Sequence, residues 1–382
     1  MIGLAVLVGF ALGHGGLEVV EPGATSDFVE AVAVVALVVI LFRDGLEVEQ
    51  ELLQSEWRLP FRKLALAMPL TAVLVAGATH VLTDLSWTEC FLVGALLSPT
   101  DPVLSSSVVT NPRVPRVVRH SLNLESGLND GLALPAVIAF SAALESGHGN
   151  FVWWKFVLQD VTLGLVFGIG IGLIASFVLP RGHGLREALT SHQKALFALG
   201  VAAAAYGITA IEPHGNAFIG VFTCAITLGI RRPDVRAAFE QRADDIIEVV
   251  KLVIFVVFGA LLTLDGLFGD GWAAVGIVVV TLLVARPAAL FAALVRTGLD
   301  APTKAFMAWF GPKGVATMTF SLLVLSKGIA SGERIFNLAA LVVFTSIIVH
   351  GLTDTPGANW IARREEARDR AAPGEPAAAT AS

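Results

Sequence analysis

Three short strings set oxygen-rich and charged residues inside otherwise apolar stretches. The first is Ser98-Pro99-Thr100-Asp101-Pro102. Two prolines three apart remove backbone donors and clash with the preceding turn, so a continuous helix is not expected there. In a bilayer, carbonyls freed in this way survive only where they line a protein cavity. Together with the Thr100 hydroxyl and the Asp101 carboxylate they form hard oxygen ligands suited to an alkali cation. A plainer reading is a proline kink with Asp101 capping the second half-helix.

The second string is Leu124-Glu125-Ser126-Gly127-Leu128-Asn129-Asp130-Gly131. A carboxylate at the centre of a membrane helix costs about 2.5–3.5 kcal/mol on insertion scales, so two acids together point to function. At helical spacing Ser126, Asn129 and Asp130 share a face, with Glu125 beside them. A hydrogen-bonded helix–helix contact is the plainer alternative. The third string is Trp309-Phe310-Gly311-Pro312-Lys313-Gly314, where Gly311, Pro312 and Gly314 interrupt an apolar run. Lys313 lies near the middle of that run, where a buried cation needs a partner; Glu125 is the most economical one. Snorkelling to the interface is the bland alternative.

The surrounding composition says what must position these groups. Hydrophobic residues make up 55% of the 382 positions and charged residues 15%, against about 25% charged in soluble domains. Stretches near the 17–25 residues a membrane helix needs recur along the chain. They predict spans at 2–20, 27–42, 64–83, 88–109, 121–144, 153–179, 192–211, 214–230, 246–264, 271–295, 302–325 and 335–352. The first has no basic flank or evident cleavage site and reads as a helix, not a signal peptide. The expected fold is all-α and polytopic, with residues 1–354 as one transmembrane domain and 355–382 as a disordered tail too polar to fold alone.

Charge supports the count. With the N-terminus inside, 21 of the 26 Lys and Arg, Lys63 among them, fall on the cytoplasmic side, 3 on the other, and Arg286 and Lys313 within spans. That asymmetry is what the positive-inside rule requires, and it places both termini in the cytoplasm. The interrupted spans are the fourth and eleventh, each the middle of a triplet. Residues of about 64–144 and 271–352 therefore read as inverted repeats whose broken helices cross near the bilayer midplane.

Other polar residues carry less. Asp44 sits at a helix end and is a weaker site candidate, while Glu30, Asp160 and Arg286 read as packing or interface residues. His14, His120 and His350 show no metal-ligand spacing. Cys90 and Cys224, both in apolar segments, give no disulfide framework or Cys-based metal site. No nucleotide-binding loop or hydrolase signature occurs, so neither an enzyme nor a nucleotide-driven pump is expected. No cofactor and no nucleic-acid partner is expected.

Thr100-Asp101-Pro102, Glu125-Ser126-x-x-Asn129-Asp130 and Gly311-Pro312-Lys313-Gly314 together resemble the monovalent cation:proton antiporter-1 family. So do Leu41-Phe42-x-x-Gly45-Leu46 and His350-Gly351-Leu352-Thr353, and the likeness runs over about residues 1–355. The resemblance implies a homodimer in the plasma membrane, its six-helix core moving against a dimerisation domain. It implies exchange of Na+ (or Li+ or K+) for H+ and a part in pH homeostasis. Asp130 would bind either the alkali cation or the proton, aided by Ser126, Thr100 and Asp101. Asn129 would mark an electroneutral branch, and Glu125 the acid of a buried ion pair. Where the family commonly has Arg, this chain has Lys313; arginine stays charged in any surroundings, whereas a buried lysine can shed its proton. The alternatives are a sodium-coupled symporter of an organic anion, built on a related plan, and a passive cation channel.

Overall fold

The computed structural model describes residues 2–20, 22–52, 58–101, 106–146, 151–179, 189–211 and 215–371. All regular structure among them is helical, and helical segments fall on each of the twelve expected spans. They are α1 (Ile2–Leu12), α2 (Asp27–Leu52), α3 (Leu59–Leu82), α4a (Trp87–Leu97) and α4b (Ser106–Thr110). There follow α5 (Arg116–Glu145), α6 (Trp153–Val178), α7 (Ser191–Thr209), α8 (Ala217–Arg231) and α9 (Pro233–Ala260). The chain continues through α10 (Trp272–Ala293), α11a (Ala301–Trp309), α11b (Val315–Ser326) and α12 (Gly332–Ala371). Five of these, α3, α5, α6, α10 and most of α12, are long and apolar enough to cross a membrane by themselves.

Local chemistry sets several boundaries. Gly13, Gly15 and Gly16 end α1 eight residues before the predicted end, and the chain folds back so that Leu17 N–H donates to Ala11 O at 2.8 Å. Helix α2 instead runs past its expected end at residue 42 to Leu52, with Arg43 and Glu47 paired one turn apart at 3.1 Å along the extension. Gly45 helps: a Cβ there would strike Phe222 and Ala225 of α8. Asp44, expected at a helix end, therefore lies buried inside α2. In α3 and α10 the α-helical ladder gives way to π turns at Lys63–Ala67 and Val280–Ala285. Pro69 and Pro287 lie just beyond them; each lacks the N–H that the carbonyl four residues back would accept from, and that carbonyl falls inside the π turn.

The helices pack in two groups. Helix α1 lies on α9, α2 on α8, α8 on α6, and α7 against both α8 and α9. In the other group α3 packs on α4a and α10, α4a on α5, and α11b on α12; α2 touches α5 and α11b where the groups meet. With little hydrophobic drive between helices in lipid, close approach of small residues substitutes for it. Gly164, Gly168 and Gly172 of α6 face α8 in this way.

The tail expected to be disordered from residue 355 is helical through Ala371. Alanine, arginine and glutamate favour helix there, and two ion pairs anchor it: Arg364 to Asp300, and Arg113 to Glu366 at 3.1 Å. The Arg364 hydrogen bond holds the Asp300 carboxyl down at about 2. Residues 372–382 lie outside the described ranges.

Candidate functional site

The two interrupted helices cross and cap one another. Asp101 N–H donates to Pro312 O at 2.8 Å, and the Thr317 hydroxyl donates to Leu96 O at 2.9 Å. The C-terminal end of α4a carries partial negative charge and unpaired carbonyls. There the fully buried Lys313 Nζ donates to Ser98 O at 3.1 Å and Pro99 O at 3.0 Å. The N-terminal end of α11b carries partial positive charge, and Asp101 Oδ2 accepts from Val315 N–H at 3.0 Å. Asp101 thus caps the other broken helix, not the second half of its own; the N-terminus of α4b is served instead by Asp354, whose Oδ2 accepts from Ser107 N–H at 3.0 Å. Gly314 is required at this crossing, since a Cβ would run into the Asp101 carboxylate. Pro102 lies outside the described residues.

Lys313 does not pair with Glu125, contrary to expectation. The break in the eleventh span turns its ammonium toward the carbonyls of the fourth. Glu125 is held by two other cations: Arg286 Nη1 donates to Oε1 at 2.8 Å, and Lys63 pairs with Oε2. Lys63 Nζ also donates to Ser121 O and Oγ, each at 3.2 Å. From sequence, Arg286 looked like a packing residue and Lys63 like a loop cation; both are buried. The available signal was a proline downstream of each, Pro69 and Pro287, which disturbs an apolar helix; π turns, a feature frequent at functional sites, lie just before both. Replacing Lys313 by Met should strand the Ser98 and Pro99 carbonyls and destabilise the fold by about 1–3 kcal/mol. Thermal unfolding of the detergent-solubilised protein measures it, and an unchanged midpoint would show that water serves those carbonyls equally well.

Around this frame the oxygen groups converge. Asn129 Nδ2 donates to Thr100 O at 2.6 Å and to Thr100 Oγ1 at 3.1 Å, and the Thr100 hydroxyl donates to Glu125 Oε1 at 3.4 Å. Because a carbonyl only accepts, the Thr100 contact fixes the Asn129 amide with Oδ1 pointing away; that buried oxygen has no donor among the described residues. Asp130, one residue on and half-buried, makes no hydrogen bond or ion pair among the described residues. Asp44 and Asp101 lie within electrostatic range of it, as do Lys251 and Arg43. Ser126 is on the same helix, with its side chain outside what is described. Among the described residues no three His, Cys, Asp or Glu side chains cluster closely enough to hold a metal. An ion bound here would combine one carboxylate with neutral oxygens, a donor set matched to a single positive charge. Polar groups left unsatisfied when buried are uncommon and ask for a reason.

Comparison with known proteins bears on that reason. The family profile described as "Sodium/hydrogen exchanger, transmembrane" matches residues 1–360. The chain is 25% identical over 332 residues to the K+/H+ antiporter NhaP of Alkalimonas amylolytica, covering 86% of this chain and 56% of that protein. It is 26% identical over 300 residues to the K+/H+ antiporter NhaP2 of Shewanella oneidensis, covering 77% and 50%. The chain spans about half the length of these relatives. The solved structure of the sodium proton antiporter MjNhaP1 from Methanocaldococcus jannaschii superposes with a TM-score of 0.80 at 17% identity, covering 94% of this chain and 92% of that one. The fold is shared.

Proposed function

The chain belongs to the sodium/hydrogen exchanger family, and on that premise we propose that it exchanges a monovalent cation for protons, the two competing at Asp130. One observation carries the reading: among the described residues neither the Asp130 carboxylate nor the side-chain carbonyl of Asn129, one position before it on α5, has a hydrogen-bond partner, and α5 packs against the helices that break and cross. A charged carboxylate resists transfer through a low-dielectric barrier. Either a proton or a dehydrated alkali ion neutralises it, so only a loaded site changes sides, and exchange follows without covalent chemistry. The names of the relatives suggest K+ as well as Na+, with Li+ as a third candidate. One cation moves per proton, so exchange is electroneutral. The transport domain covers residues 1–354; α3–α5 and α10–α12 form its moving core, and the other helices form the scaffold through which two copies pair in the plasma membrane, termini in the cytoplasm.

The organic-anion symporter gains no support from the comparisons. Its one candidate anion-binding group, Lys313, is already engaged by Ser98 and Pro99. The test is a pH-jump assay in proteoliposomes, each alkali cation titrated with and without an imposed membrane potential. Cation addition should dissipate the pH gradient at a rate independent of potential, with the apparent cation KM rising as the medium is acidified. A rate steered by potential would remove the one-for-one stoichiometry. No cation-driven proton movement would remove the whole reading.

A further inference from the structure

We propose that Lys63 is a positioning residue for cation binding, acting through Glu125 on the Thr100 hydroxyl; the inference rests on the exchange reading above. Glu125 has two oxygens with different duties. Oε1 accepts from Arg286 at 2.8 Å and from the Thr100 hydroxyl at 3.4 Å, whereas Oε2 accepts from Lys63 and, more distantly at 3.4 Å, from Arg286 Nη2. Arginine alone would settle on a carboxylate with two equal, parallel bonds. Here the geometry is skewed: Arg286 holds Oε1 closely, and Lys63 draws Oε2 the other way. Lys63 is itself held from the far side by Ser121, one turn before Glu125 on α5.

The skew reaches the ion site. Thr100 Oγ1 donates its single hydrogen to Glu125 and accepts from Asn129 Nδ2. Among the described residues nothing else donates to that oxygen, so one lone pair remains on it, and its direction is set by where the hydrogen goes. Without Lys63, Glu125 swings into a symmetric fork with Arg286 and away from a hydrogen bond that is already long. The Thr100 hydrogen is then released toward the cavity, where it opposes a cation instead of leaving a lone pair for it. The partners that orient metal ligands from behind typically control affinity by about 10–100-fold.

The measurement is alkali-cation-driven proton flux in proteoliposomes, comparing wild type, Lys63→Met and Lys63→Gln. Lys63→Met should raise the apparent cation KM about tenfold with a much smaller change in maximal rate. Lys63→Gln keeps a hydrogen-bond donor, one bond shorter, but loses the charge, which makes the hydrogen bond roughly half as strong. Its KM should rise about threefold, between the other two. A residue that only braces the fold would lower thermal stability and the amount of protein while leaving KM alone. That pattern overturns the proposal, as does an equal KM shift in both variants, which would point to the charge and not the hydrogen bond. If Lys63→Met fails to fold, an unchanged KM in Lys63→Gln overturns it unaided. Absence of flux in the wild type would instead fail the exchange reading.

Discussion

Replacing Asp130 with Asn should reduce cation-driven proton flux to that of protein-free liposomes, while the protein folds with an unchanged thermal midpoint. The substitution preserves shape and removes the one property the mechanism uses, a charge that a proton or an alkali ion can cancel. An amide takes up no proton in this pH range, and although its oxygen can ligate an alkali ion it brings no charge to cancel the ion's. Folding should be indifferent, because Asp130 holds nothing in place among the described residues; buried polar groups whose loss destabilises are those with partners. Asp44 provides the control. It is a buried carboxylate within electrostatic range of Asp130, so Asp44→Asn should weaken apparent cation affinity yet leave coupled exchange measurable. The opposite outcome, with exchange surviving in Asp130→Asn and lost in Asp44→Asn, would move the exchanging carboxylate from α5 to α2.

Much of this arrangement was legible in the sequence, for identifiable reasons. Hydropathy located the helices because a bilayer tolerates few polar residues over a crossing. Pro99, Gly311, Pro312 and Gly314 announced the two breaks, because backbone chemistry alone forbids regular helix there. Asn129 and Asp130 stood out as costly residues in an apolar run. Pairing was much less legible. Lys63 follows Arg58, Pro60 and Arg62 and reads as the edge of a basic loop, yet α3 begins at Leu59 and carries it inward. Arg286 is 161 residues from Glu125 along the chain, and only the tertiary fold brings them together. The π turns rotate both cations relative to an ideal helix, so periodicity from neighbouring apolar residues misjudges where they face. Reciprocal capping was hidden for a similar reason: Asp101 and Lys313 each looked like members of their own helix, and each terminates the other.

The opposite behaviour is expected one turn earlier on α5. Glu125→Gln should be destabilising by about 3–5 kcal/mol, the usual cost of removing one member of a buried ion pair, and should lower the yield of folded protein. The wild-type cluster sets one acid against two bases, Lys63 and Arg286, whose side chains are 0% and 7% exposed. A neutral glutamine leaves both bases in a medium where neither can be solvated. Charge is then the cause, and it can be relieved: adding Lys63→Met to Glu125→Gln restores the original excess of one positive charge. The double variant should therefore be more stable than Glu125→Gln alone, although each change destabilises the wild type, an interaction between neighbours that additivity would miss. Thermal unfolding of the four proteins in detergent closes the cycle. A Glu125→Gln midpoint equal to wild type would mean that the two bases find other acceptors, and that the oxygen carrying Thr100 is held by something besides this ion cluster.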